Sequence, residues 1–171
     1  YSGVHPDHHA LYIHPSDPQY LINGNDGGLN ISRDGGENWT FVNNLPVGQF
    51  YHIAVDDEVP YNVYGGMQDN GSWMGPSAVW HVGGIRNEDW QEVLFGDGFD
   101  VQPTGDGELY AMYQGGAVQR VDVATLGATD VQPASPDSIA LRFAWNGAMS
   151  LDPEDRDGLY FGSQRLHYSS D

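Results

Sequence analysis

The 171-residue chain has no cysteine and no lysine, and it has no long uninterrupted run of apolar residues. Without cysteine, the chain forms neither a disulfide nor a thiolate metal site. A membrane-spanning helix needs about 18 consecutive apolar residues, so the sequence predicts no membrane span. The chain opens on Tyr1 and ends on Ser169-Ser170-Asp171, and we expect it to be a fragment of a longer protein.

The absence of lysine leaves six arginines against 24 acidic residues, for a formal net charge of −18. A surface this acidic repels the phosphates of nucleic acids and anionic membranes, so we expect neither as a partner. Salt screens the self-repulsion of such a surface. We therefore interpret the acidic composition as that of a halophilic protein, with plain drift in composition as the alternative.

Turn-forming residues are abundant, with 23 glycines and 10 prolines, and one pattern recurs four times. Each copy has an apolar run, a turn, an apolar–aromatic pair and a polar end. The polar ends are Asp26, Gln68, Gln114 and Gln164, which are spaced by 42, 46 and 50 residues. A period of about 45 residues made of short strands is typical of a four-stranded propeller blade.

The repeats therefore predict an all-β fold, with about four β-propeller blades of four antiparallel strands in a partial propeller. We place the blades, as one run over 1–171, at about 8–46, 47–95, 96–142 and 143–171, the last one truncated. In the first blade the strands are expected at Ala10–Ile13, Tyr20–Gly24, Leu29–Ser32 and Thr40–Val42. An incomplete propeller leaves edge strands exposed, so we expect the rest of the propeller or a second copy to close it.

One motif is specific. Residues 32–39 match the Asp-box pattern S-x-D-x-G-x-x-W at Ser32, Asp34, Gly36 and Trp39. The Ser and Asp side chains are expected to bind amides of the turn, the glycine to allow a positive φ, and the indole to cover the turn. The motif therefore predicts a structural hairpin between the third and fourth strands, not a catalytic site.

The run 24–29 that leads into this motif resembles Asp-box (BNR) repeat propellers related to sortilin-type receptor domains and to xyloglucanases. Runs at 64–73, 96–100 and 160–166 extend the resemblance over most of the chain. The resemblance implies a secreted or cell-surface bacterial protein that acts on or binds polysaccharide, glycoside-hydrolase-like and inverting if it is catalytic. The alternative is a sortilin-like propeller that binds peptide or protein, or serves as a scaffold, without enzymatic activity.

Blade topology predicts where a site lies. Segments that enter a first strand and turns that join a second to a third strand share one face, opposite the hairpin of residues 32–39. Three carboxylates expected there are flanked by Gly or Asn, which let a ligand approach the backbone, and they are the candidate catalytic residues: Asp26, Asp69 and Asp97. In the xyloglucanases that the chain resembles, a catalytic Asp lies in an Asp-x-Gly-Gly turn, whereas here Gly27 follows Asp26 directly.

Polar and aromatic residues on the same face are the candidate ligand-binding set. They are His9, Gln49, Gln68, Trp73, Gln114, Asn146, Gln164 and Arg165. A polysaccharide or a peptide is the expected ligand, and indoles in or beside the insertion 74–89 would stack on sugar rings. The alternatives are that the polar residues satisfy channel waters and turn amides, and that the indoles pack between blades.

The histidines and the aspartate of residues 5–9 suggest a metal site, but we do not favour one. His5, Asp7 and His9 share one parity along an extended strand, whereas His8 points the other way. We interpret these residues as hydrogen-bonded side chains and expect no metal and no cofactor, although the gathered carboxylates would also suit Ca²⁺.

If the net charge of −18 is an adaptation to salt, the melting temperature should rise between dilute buffer and molar NaCl, because screening removes repulsion in the folded state. Differential scanning calorimetry over that range measures the effect. A melting temperature that stays flat or falls would contradict the halophilic interpretation.

Overall fold

A computed structural model describes residues 3–45, 47–155 and 157–170 of the chain. Its regular structure is almost entirely β-strand, arranged as four antiparallel sheets in chain order. The all-β prediction is confirmed: the sheets are about four blades of a partial β-propeller. The chain divides into two compact units, residues 1–47 and 48–171, of which the first holds one sheet and the second holds three. No helix in the described ranges is long and apolar enough to cross a membrane.

The first unit is a single sheet with the strand order β1-β2-β3-β4. Its strands are β1 (His8–His14), β2 (Asp17–Asn25), β3 (Gly28–Ser32) and β4 (Thr40–Phe41). The first two strands are longer than predicted because their pairing continues up to His8 and Asn25. Antiparallel order places the start of β1 and the β2–β3 turn at one end of the sheet, and the β3–β4 hairpin at the other.

The second unit holds the other three sheets. The second sheet has β5 (His52–Val55), β6 (Asn62–Gly66), β7 (Ser72–Pro76) and β8 (Gln91–Leu94). The third has β9 (Val101–Pro103), β10 (Glu108–Tyr113), β11 (Ala117–Asp122) and β12 (Ala128–Asp130). The fourth has β13 (Met149–Leu151), β14 (Leu159–Gly162) and β15 (Leu166–Ser169). Single 3₁₀ turns lie at Asn87–Asp89 and Gln114–Gly116.

The core of the second unit lies between neighbouring sheets, and β10 shows why. Leu109 and Ala111 pack with residues of the second sheet, whereas Tyr110 and Met112 pack with residues of the fourth. Successive side chains of a strand point to opposite faces, and both faces of β10 are covered. A continuous apolar run is the sequence signature of such a strand.

The segment 96–100 joins the second and third sheets through main-chain hydrogen bonds. The Gly98 N–H donates to the Met67 carbonyl, and the Gly66 N–H donates to the Phe99 carbonyl, at 3.0 and 3.1 Å. The Phe99 N–H in turn donates to the Met112 carbonyl of β10 at 3.2 Å. A Cβ at position 66 would lie 2.2 Å from the Phe99 nitrogen. The absence of a side chain at Gly66 therefore permits the close approach that fixes this segment.

The hairpin between β3 and β4 is held by its own side chains. The Ser32 hydroxyl donates to Asp34 Oδ1 at 2.8 Å and accepts the Gly36 N–H at 2.9 Å. The Asp34 carboxylate accepts the Asn38 main-chain and side-chain N–H groups at 2.9 and 2.7 Å. Gly36 has φ +95°, and its carbonyl accepts the indole N–H of Trp39 at 3.1 Å. Trp39 is only half-buried, so it covers the turn in part.

These hydrogen bonds make the hairpin sensitive to acid. The Asn38 N–H groups and the Ser32 hydroxyl lower the pKa of Asp34 from 3.8 to about 2. A carboxylate whose pKa is depressed by folding stabilises the folded state above its unfolded pKa, and this contribution is lost as the pH falls through the folded pKa.

We therefore expect the free energy of unfolding lost by Asp34→Asn to shrink as the pH falls from about 5 to about 2, as urea unfolding at each pH would measure. Glu37→Gln, an exposed acid-to-amide change in the same turn, is the control and should show a small, constant difference from the wild type. A penalty for Asp34→Asn that does not vary with pH would contradict the assignment.

Candidate functional site

The first unit presents a carboxylate–imidazole pair at one end of its sheet. His9 lies in β1, and Asp26 lies in the turn between β2 and β3, which strand pairing brings beside the start of β1. His9 Nε2 and Asp26 Oδ1 are 2.5 Å apart. The two side chains are 67% and 34% exposed, so a ligand has direct access to the pair. The hairpin of residues 32–39 lies at the opposite end of the same sheet.

A second carboxylate lies beside this pair. The Asp26 N–H donates to the Asp7 carbonyl at 3.1 Å, and carboxylate oxygens of the two residues lie within 4.8 Å of each other. A Cβ at Gly27 would come within 2.9 Å of the His5 Cβ, so glycine at 27 lets the loop that carries Asp7 pack against the turn. The packing places a second negative charge next to Asp26.

The histidines of the first unit have protein partners. His8 Nδ1 is 3.0 Å from the Asn23 side-chain oxygen, whereas His9 contacts Asp26. The two histidines point in opposite directions because successive side chains of a strand alternate. His5 Nδ1 accepts the Asp7 N–H at 3.3 Å. Each of these three histidines therefore has a hydrogen-bonding partner within the first unit.

In the second unit, Asp69 and Asp97 are brought together. The Asp69 N–H donates to Asp97 Oδ1 at 2.8 Å, and the Asp97 N–H donates to Gln114 Oε1 at 3.0 Å. Asp69 has φ +63°, a left-handed conformation that is uncommon outside glycine. The Asp97 carboxylate therefore holds a strained turn, which gives it a structural role whatever else it does.

A glutamine in the turn between the second and third strands recurs in the three sheets of the second unit. Each glutamine side chain accepts a hydrogen bond from the segment that enters the first strand of its own sheet. The pairs are Gln68 with the Tyr51 hydroxyl at 2.5 Å, Gln114 with the Asp97 N–H at 3.0 Å, and Gln164 with the Arg142 N–H at 2.7 Å. The glutamines therefore brace each sheet. In the first unit the same repeat position holds Asp26, which binds a histidine instead.

The other residues proposed as ligand-binding have varied surroundings. Gln49 is exposed just before β5, and Asn146 is half-buried before β13. Arg165 donates to the Asp137 carboxylate at 2.7 Å. Trp73 is half-buried in β7, with its indole N–H on the Asn70 carbonyl at 2.6 Å, whereas Trp80 in the following insertion is fully exposed. Among the tryptophans of that region, Trp80 is the one placed to stack on a ligand.

Sequence reasoning named Asn146 but missed His52 and Asp100, with which it forms a polar cluster. His52 Nε2 lies 3.3 Å from Asn146 Nδ2. Burial raises the pKa of Asp100, opposed by the charge of His52 and by a hydrogen bond from Gln102. Each of the three residues starts or precedes the first strand of its sheet. The sequence signal is the run Gly96-Asp97-Gly98-Phe99-Asp100, in which a carboxylate directly follows an aromatic residue. In the structure that aromatic residue, Phe99, is fully buried.

Comparison with known proteins gives likeness in solved structures alone. No protein-family model matches the chain, and no curated protein matches it. The GH74 xyloglucanase from Xanthomonas campestris is 20% identical, with a TM-score of 0.48, over 94% of this chain and 28% of that chain. YCF48 bound to D1 peptide is 11% identical, with a TM-score of 0.45, over 99% of this chain and 53% of that one. The Asp-box assignment therefore stays a prediction.

An auxiliary nutrient binding protein from Bacteroides thetaiotaomicron is also similar, at 12% identity and a TM-score of 0.47, over 96% of this chain and 38% of that one. This chain thus spans about a quarter to a half of the length of these proteins. At such identities the likeness concerns the fold alone. The ligands and activities of those proteins are not assigned to this chain.

The contrast between Asp26 and the bracing glutamines can be tested by stability. Gln114→Ala should cost about 1 kcal/mol, because one hydrogen bond to the Asp97 N–H is lost. Asp26→Gln should leave the free energy of unfolding unchanged or raise it, because it removes repulsion from Asp7 while a glutamine can still bind His9. Urea unfolding measures both variants. If Asp26→Gln costs as much as Gln114→Ala, Asp26 is a brace like the glutamines.

Proposed function

We propose that this chain is part of a secreted or cell-surface propeller that binds a neutral polysaccharide, with the His9–Asp26 pair at the centre of the site. One observation carries the proposal. At the turn position where the other repeats have a bracing glutamine, the first unit has an accessible aspartate in contact with a histidine. This exposed pair offers a charged acceptor and an imidazole to a ligand at that end of the sheet, which supports the proposal.

The chemistry of the pair suits sugar hydroxyl groups. An ionised carboxylate accepts several hydrogen bonds, and an imidazole donates or accepts one according to its tautomer. Hydrogen bonds to a charged group are stronger than those between neutral groups. The net charge of −18 disfavours an anionic polysaccharide. A neutral chain of sugars therefore fits the site better than an acidic one.

Hydrolysis is a further step in the same proposal, with Asp26, Asp69 and Asp97 as the catalytic candidates. Inverting hydrolysis uses two carboxyl groups about 6.5–9.5 Å apart, with room for a water between them. The Asp7 and Asp26 oxygens, which lie within 4.8 Å of each other, are too close for that arrangement. The first unit by itself therefore supports binding more strongly than turnover.

Peptide or protein binding is the second candidate, and the surface of β5 favours it. β5 is the edge strand of its sheet, and its side chains Ile53 and Val55 are 69% and 55% exposed. An extended peptide can add to such an edge through main-chain hydrogen bonds, with apolar side chains giving specificity. Further sequence or a second copy that closes the propeller would also pair with an exposed edge strand, and would therefore compete with a peptide for it.

The test is binding of the purified chain to a panel of neutral and acidic polysaccharides by affinity electrophoresis. Retardation by a neutral polysaccharide is expected, and Asp26→Asn should weaken it by about tenfold or more, since a charge-assisted hydrogen bond is worth about 1.5–3 kcal/mol. Glu37→Gln removes the same charge from the hairpin at the opposite end of the sheet and should leave binding unchanged.

Two outcomes would overturn the proposal. Equal retardation of the wild type and Asp26→Asn would remove Asp26 from the site. Failure of every polysaccharide to bind, together with capture of extended apolar peptides that is lost in Ile53→Asp, would favour the peptide-binding alternative.

A further inference from the structure

In the described residues, the fourth sheet has three strands where the other sheets have four. Each of the other sheets carries an outer strand, β4, β8 or β12, paired with its third strand. In the fourth sheet the third strand, β15, is the edge strand instead. The edge of a sheet presents main-chain N–H and C=O groups with which an added strand can pair. β15 therefore offers a place for a fourth strand.

A cavity of about 310 Å³ lies beside β15. The third sheet and the loop after it form one wall, and the fourth sheet forms the other. Its lining includes Val118, Val131, Ala134, Leu159, His167 and Ser169. Val118 and Leu159 also belong to the core between the two sheets, so the cavity continues that core. Its volume is at the lower end of the range for ligand pockets, about 300–1,000 Å³, and suits one large side chain better than a chain of sugars.

The second sheet shows what fills the same position. Ser169 of β15 is equivalent to Gly75 of β7, because each lies opposite the second-strand residue that pairs with the last residue of the first strand. At Gly75 an indole takes the space, since a Cβ on this glycine would lie 2.5 Å from the ring of Trp90. Trp90 directly precedes β8, the fourth strand of its sheet. The fourth strand thus brings the aromatic side chain that covers the third strand.

The first and third sheets follow the same rule. In the first sheet the equivalent residue is Ser32, and Trp39 directly precedes β4. In the third sheet the equivalent residue is Val121, which is fully buried, and Gly127 directly precedes β12. A small residue at this position is therefore accompanied by a tryptophan ahead of the fourth strand, and a valine is not. Ser169 is small, so the repeat predicts an indole in the cavity beside it.

The polar side chains of the cavity also suit an indole. A buried indole N–H usually finds a hydrogen-bond partner, as the Trp39 N–H does at the Gly36 carbonyl. His167 and Ser169 line the cavity, and both an imidazole and a hydroxyl can accept a hydrogen bond. The His167 ring is held by the contact of its Nε2 with the Ser163 hydroxyl at 2.7 Å. An aromatic ring that carries an N–H donor therefore matches the cavity better than a purely apolar ring.

We propose that the groove formed by this cavity and the edge of β15 binds an extended peptide strand led by a tryptophan. The indole fills the cavity, and the residues after it pair with β15 as a fourth strand. A second copy of the chain is a poor source, because Trp39 binds its own turn and Trp90 packs on Gly75. The net charge of −18 also repels a second copy or an acidic peptide, so the partner is neutral or basic. This site goes beyond the proposed function and shares no residue with the His9–Asp26 pair.

The experiment measures binding of a fluorescein-labelled peptide to the full chain by fluorescence anisotropy. The peptide is Asn-Trp-Thr-Phe-Val-Asn-Asn, the neutral sequence of residues 38–44, in which a tryptophan leads a fourth strand. Saturable binding is expected. Alanine in place of the tryptophan should weaken binding at least tenfold, because the cavity then stays unfilled. N-methylation of the three residues after the tryptophan should also weaken it, because the donors for strand pairing are removed.

Two variants fill the cavity, and two controls leave it unchanged. Ser169→Val gives β15 the residue that the third sheet has at Val121, and Ala134→Trp fills the cavity from the loop after β12. Each should weaken peptide binding at least tenfold. Ser150→Val makes the same change at an exposed position of β13, and Ile53→Asp alters the exposed edge of β5; both should leave the affinity unchanged. Since Ala134 lies outside the strands, its variant tests the cavity even if Ser169→Val disturbs β15.

Three results would overturn the proposal. Equal affinity of the tryptophan and alanine peptides would show that the indole is not recognised. Loss of binding in Ile53→Asp, with none in Ala134→Trp, would place the peptide on the edge of β5. Self-association of the chain in sedimentation velocity that Ala134→Trp abolishes would make a second copy the occupant.

Discussion

The second unit depends on the main-chain hydrogen bonds of the segment 96–100. A propeller blade is too thin to bury its own apolar faces, so each sheet must pack on the next one. This segment binds the β6–β7 turn on one side and β10 on the other, and it places Phe99 at 0% exposure between them. Gly66 has no side chain at the point of closest approach. Asp97 and Asp100, at either side of Gly98 and Phe99, are positioned by the same bonds.

Repetition of the blade separates structural positions from functional ones. Three glutamines occupy the same turn and brace the same segment of their own sheets, so their conformations follow from the blade itself. Asp26 occupies the same position in the first copy of the repeat and contacts His9. This departure from the structural repeat, with an accessible charge, is the basis on which we propose Asp26 as a ligand-binding residue.

The acidic composition affects the two units differently. In the hairpin, Asp34 is stabilised as a carboxylate by N–H donors from its own turn, which hold its pKa low. In the second unit, burial raises the pKa of Asp100, so the fold does not fully compensate its charge. The same residue type is therefore held as a carboxylate in one place and shifted toward its neutral form in the other. Local hydrogen bonding, and not composition, decides between these roles.

The sequence by itself determined the all-β fold, the number of blades and the hairpin of residues 32–39, because strand runs, turn formers and a repeat of about 45 residues are local properties. It also indicated Asp26, through the register of the repeat. Only the tertiary structure showed that Asp97 binds the Asp69 N–H, that Trp73 is half-buried, and that His52 and Asn146 meet across 94 residues. Such contacts depend on how successive sheets pack, and a linear pattern does not encode the distance between side chains of different blades.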